Sequence, residues 1–207
     1  EISECLVGSE MCIRDSTIIG LGLLTAIVVV MQFISMGLRF GTFSITLTLI
    51  PIVVGSALYG WGSGAWLGFV FGVTVLLTGD ANLFLAVNIP GTIITVILKG
   101  TLAGAAAGFV YKLISKKNQI AAVIVSAVVA PVVNTGIFVL GSYVFFFDYL
   151  SGLAEGTNLF VFILVGLVGI NFFIELGINL VLNPAILQII RIGKKNFGGK
   201  NQIIKTK

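Results

Sequence analysis

Between Pro90 and Leu113 the chain carries an apolar run that Lys112, Lys116 and Lys117 close at once. A bilayer span needs roughly 20 residues at about 1.5 Å rise each, and this run meets that length. Of the 207 residues 57% are hydrophobic and 10% charged, which excludes a soluble globular domain and predicts a polytopic membrane protein. Pro90 has no N–H to lose and a fixed φ, so it suits the first turn of this helix. The lysine cluster predicts that the helix enters from outside and ends in the cytoplasm.

Lys99 is the exception inside this span. A cation at that depth needs a partner, a water-filled cavity or a route to the surface. Helical side chains tilt toward the N-terminus, so its ammonium leans toward the outer end. Two readings stand beside each other: a counter-charge for a ligand, or a lysine that snorkels or pairs with an internal carboxylate. Gly100, Gly104 and Gly108 follow at four-residue spacing, a column that lets another helix backbone approach closely.

The remaining runs place themselves around this one. Residues 17–36 form an uncharged span whose Gly22, Ala26 and Val30 make a small-residue stripe. Residues 37–47 carry Arg39 and enough Gly, Ser and Thr for a loop with extended character. A short second span from Thr46 to Tyr59 contains Pro51 and predicts irregular backbone. A third, Ser63 to Leu77, carries the column Gly64, Gly68 and Gly72, with Trp61 and Trp66 as inner interface anchors. The fifth, Gln119 to Phe147, predicts a kink near Ala127 to Pro131, with Asn134 just beyond it. The sixth, Leu159 to Ile190, sets Asn171, Glu175, Asn179 and Asn183 on one slowly twisting stripe. Arg191 and the tail lysines put the C-terminus inside. The expectation is an all-α membrane protein of about six spans with both termini cytoplasmic. Residues 17–191 would form the membrane domain and 192–207 a basic tail. Residues 1–16 are polar and acidic and read as a non-native junction.

Composition also limits the chemistry. The chain has no histidine, and both cysteines, Cys5 and Cys12, lie in that first segment, so no catalytic residue, metal site or bound cofactor is expected. No phosphate-binding G-x-x-x-x-G-K-[ST] loop occurs, so ATP-driven work must come from partners. The net charge of +4 reflects topology rather than nucleic-acid binding. A binding pocket is easier to assemble. Lys99, Asn134, Asn171 and Glu175 offer a cation, an anion and amides, and Arg39, Asn82 and Asn88 could close it from the outer loops.

In the order and spacing of GLLTAIVVV, LTLIPIVVGSALYGWGSGAWLGFVFG, LKGTLAGAAAGFVYKLI and PVVNTGIFVLG, the chain resembles the substrate-binding S-components of energy-coupling factor (ECF) vitamin transporters. The resemblance implies a bacterial cell-membrane protein that captures a vitamin at its outer face. It also implies association with a transmembrane T-component and two cytoplasmic ATPases, and toppling in the bilayer to release the cargo. The family's A-x-x-x-A contact with the T-component falls on Gly22, Ala26 and Val30, where a β-branched residue replaces one alanine. Lys99 suits an anionic vitamin such as pantothenate or a folate. An autonomous secondary transporter or channel is the alternative, although such proteins usually show an internal repeat and none is evident here. A membrane enzyme or scaffold is weakened by the scarcity of acid and base groups.

Overall fold

Long apolar runs divided by Asn, Gly and Pro stops fold as a set of packed helices. The computed structural model describes residues 2–37, 39–40, 43–44, 47–154 and 158–202. Helix α1 (Ile2–Gly37) is followed by a two-stranded antiparallel hairpin, β1 (Arg39–Phe40) and β2 (Phe43–Ser44). Then come α2 (Leu49–Tyr59), α3 (Trp61–Leu77), the single-turn α4 (Asn82–Leu85), α5 (Ile89–Ile114) and α6 (Gln119–Phe145). The chain ends in α7 (Phe147–Leu153), α8 (Leu159–Val161), a π-helical segment (Phe162–Gly169), α9 (Ile170–Val181) and α10 (Asn183–Gln202).

Among the described residues three helices are long and apolar enough to cross a membrane: Thr17–Gly37 of α1, α5 and α6. The bent pair α9 and α10 makes a fourth if counted as one span. The second and third apolar segments form helices of only 11 and 17 residues. The six segments expected are all helical, but these two fall short of spanning length.

Asparagines set two of the helix starts. The Asn88 Oδ1 accepts from the Gly91 N–H at 3.0 Å and caps α5, with Pro90 in its first turn. The Asn118 Oδ1 accepts from Ile120 and Ala121 and caps α6. Each such cap contributes about 1 kcal/mol.

The glycine columns of α3 and α5 meet each other. Gly64 lies against Gly104, Gly68 against Gly100 and Gly72 against Val96, so that a Cβ on Gly72 would sit 2.9 Å from the Val96 carbonyl oxygen. At Gly64, Gly68 and Gly104 an added Cβ would fall directly on the facing backbone carbonyl. The two helices thus touch backbone to backbone, the arrangement small residues permit in lipid. Helix α2 is short but enclosed by α1, α3, α5, α6 and α10, with Ile52, Val53 and Val54 buried.

Two expectations are corrected here. Pro51 does not distort the second segment: it occupies the first turn of a regular helix, where a missing N–H costs nothing. The sixth segment is not one continuous helix. It passes through the π-helical stretch and then bends by 51° between α9 and α10. Pro184 stands at that break; it cannot donate to the carbonyl one turn earlier, and it disfavours helical geometry at Asn183. Pro131, by contrast, lies inside α6, which continues as helix on both sides of it.

Candidate functional site

The close contact of α3 with α5 brings Phe71 of α3 to the Lys99 side chain of α5. The ammonium Nζ lies 6.0 Å from the Phe71 ring centroid and 5.3 Å from that of Phe138 on α6. Both distances fall within cation–π reach, and such contacts strengthen where water is excluded. The Glu175 carboxylate, buried on α9, attracts the same ammonium. Lys99 is therefore the point at which α3, α5, α6 and α9 converge.

Polar groups surround that point on the facing helices. One turn from Phe138 on α6, Asn134 is 6% exposed, and its Oδ1 has no hydrogen-bond partner. One turn from Lys99 toward the Asn88 end of α5, the Thr95 Oγ1 is buried and also lacks a partner, as does the Ser142 Oγ of α6. Gly141 lets α6 close on Thr95. A cation, a carboxylate, an amide and hydroxyls in an aromatic and aliphatic surround can bind and orient a small polar molecule.

The other sequence-derived candidates are placed as follows. Asn88 has both polar ends engaged: besides its cap, its Nδ2 donates to the Phe145 carbonyl at 3.4 Å, strapping the start of α5 to the end of α6. Asn82 opens α4 and is exposed, its amide beside Gly79, whose φ is +76°. Arg39 lies in β1 and Asn171 in α9, but their side chains fall outside the described residues. Asn179 and Asn183 share the buried face of the last segment with Glu175. On α1, Gly22, Ala26 and Val30 all face outward. Val30 is 56% exposed and nothing lies within 4 Å of a Cβ placed on Gly22.

A second polar cluster was not anticipated from the sequence. The Gln32 Nε2 of α1 donates to the Asp80 carboxylate, which also accepts from the Thr78 Oγ1 at 3.4 Å. The Thr48 Oγ1, at the start of α2, donates to the Gln32 Oε1 at 3.1 Å. These bonds tie together the ends of α1, α2 and α3, with Gln32 and Thr48 buried. The signal was present: Gln32 is a lone amide in an apolar helix, and such a group must find a partner in lipid.

The family model for the ECF transporter substrate-specific component matches residues 16–187. A search of curated proteins finds no match. The structure of ThiT from Listeria monocytogenes superposes with a TM-score of 0.61 at 20% sequence identity, covering 86% of this chain and 98% of that chain. That likeness is one of fold, and it extends over the same multi-helix membrane architecture. By the family match over most of its length, the chain belongs to the substrate-specific components of ECF transporters, multi-pass proteins of the bacterial cell membrane.

Proposed function

We propose that this chain captures an anionic, carboxylate-bearing vitamin outside the cell, in the site centred on Lys99. The observation that carries the reading is a lysine ammonium held at membrane depth between two aromatic rings and attracted by Glu175, with the unpartnered Asn134 amide one turn from Phe138 on α6. Asn134, Asn171 and Glu175 belong to the same pocket, Arg39 and Asn82 close it from the outer loops, and Asn88 shapes its rim by strapping the start of α5 to the end of α6. Both termini lie in the cytoplasm, following the lysine bias of the α5–α6 turn and of the tail.

In this reading the chain binds without catalysing. A T-component docks on Gly22, Ala26 and Val30, an outward stripe with no intramolecular partner at Gly22. Two cytoplasmic ATPases supply the energy. An Ala26→Leu chain is expected to lose co-purification with the T-component while its vitamin binding persists; undiminished co-purification would remove that face from the proposal.

The deciding experiment is mass spectrometry of small molecules released by denaturing the chain purified alone in mild detergent. One stoichiometric vitamin bearing an acidic group is the expected result. A stoichiometric ligand without an acidic group would overturn the role given to Lys99.

A further inference from the structure

Toward the Lys112 end from Lys99, four buried polar atoms among the described residues lack partners, the Asn134 Oδ1 already described being one of them. They are the Asn134 Oδ1 and Ser126 Oγ of α6, the Asn179 Oδ1 of α9 and the Asn183 Nδ2 of α10. All four residues are more than nine-tenths buried, Ser126 and Asn179 completely. The Asn179 Nδ2 donates to the Glu175 carbonyl at 2.9 Å, which fixes that amide with its oxygen turned away as an acceptor.

Helix α6 packs against both α9 and α10. At one end Ala122, Val123 and Ala130 share a core with Ile186 and Ile190. At the other, Lys99 touches Phe138 and is attracted by Glu175. These two fixed points make the elements antiparallel. Between them Asn134 comes level with Asn179, and Pro131 comes level with the bend at Leu182 to Pro184. Each proline lacks the N–H that would serve the carbonyl one turn earlier, so backbone and side-chain hydrogen bonding are depleted at one level of the molecule.

Polar groups buried at membrane depth without partners are costly, and proteins satisfy them with ordered water where the site is polar. The chemistry selects among occupants. A cation would be served by acceptors only, whereas this set includes the Asn183 N–H2 donor beside the Asn179 and Asn134 acceptors. Water both donates and accepts. We propose that a buried cluster of ordered water occupies the seam between α6 and the α9–α10 bend, completing the hydrogen bonding of Ser126, Asn134, Asn179 and Asn183.

Radiolytic hydroxyl labelling of the ligand-free chain in lipid nanodiscs, read by mass spectrometry, tests this without reference to the vitamin. Hydroxyl radicals formed from bound internal water modify the side chains beside it. Pro131 and Ile186 flank the seam and are buried, as are Leu49 and Ile52 in the apolar core formed by α1, α2, α3 and α5. The expected result is modification of Pro131 and Ile186 several-fold above that of Leu49 and Ile52. In a folded Asn134→Leu/Asn179→Leu chain that excess is expected to disappear. Equal, background-level modification at all four positions in the unaltered chain would overturn the proposal, as would persistence of the excess in the double variant.

Discussion

A Gly68→Leu chain is expected to leave mild detergent as aggregate rather than as a single eluting species, and Gly68→Ala to fold with lowered stability. An added Cβ at Gly68 falls on the Gly100 carbonyl, and backbone cannot move aside as a flexible side chain can. Forcing extra carbon into a closed contact costs about 1–3 kcal/mol for a small group and more for a large one. At ~2–4 °C per kcal/mol, the alanine variant should melt roughly 2–12 °C lower in a thermal-shift assay. Gly62, in the first turn of the same helix, has nothing within 4 Å of an added Cβ, so Gly62→Ala should melt with the unaltered chain. Equal melting of Gly68→Ala and Gly62→Ala would show that the two helices do not touch as described.

The second large effect concerns Lys99. A Lys99→Met chain is expected to bind the vitamin recovered from the unaltered protein about 10–100-fold more weakly, the loss that follows from deleting one charge-assisted hydrogen bond. It should also be less stable, because Glu175 loses the cation that attracts it, and an uncompensated buried charge costs several kcal/mol, about 3–5 in measured cases. Combining Lys99→Met with Glu175→Gln separates the two consequences: the thermal midpoint should recover while the affinity stays low. Isothermal titration of the three chains measures the affinities, and a thermal-shift assay their midpoints. Unchanged affinity in Lys99→Met would leave the lysine with a structural role alone.

The helices were legible in the sequence because each apolar run ends in a residue that helices use as a stop. Pro90 and the lysines bound α5 within a residue or two, and the two glycine columns announced close approach. Their pairing with each other could not be read, since a column specifies a face and not its partner. Pro51 and Pro184 show the limit of local reasoning. Both interrupt apolar runs, yet one occupies a first turn and the other a 51° break, and only the position of the preceding helix start distinguishes them. At the site the charges were legible because so few exist inside the membrane. Phe71 and Phe138 were not: among 16 phenylalanines no contrast in the sequence marks the two that face a lysine. Glu175 and Asn179, four residues apart on α9, are both buried as their spacing implied, and Asn183 is buried beyond the bend, which the spacing did not reveal.

The backbone contact between α3 and α5 also divides the labour of adaptation within the molecule. Where two main chains touch, no position can accept a larger side chain, so that pair serves as a fixed chassis bearing Lys99 at a set height. Across from it stand Asn134, Phe138 and Glu175, on walls formed by α6 and α9 that meet the chassis through side chains. On the binding role proposed for Lys99, retuning this protein for a ligand of different size or shape falls to those walls and to side chains such as Phe71 that do not lie in the backbone contact, while the chassis keeps the lysine in place.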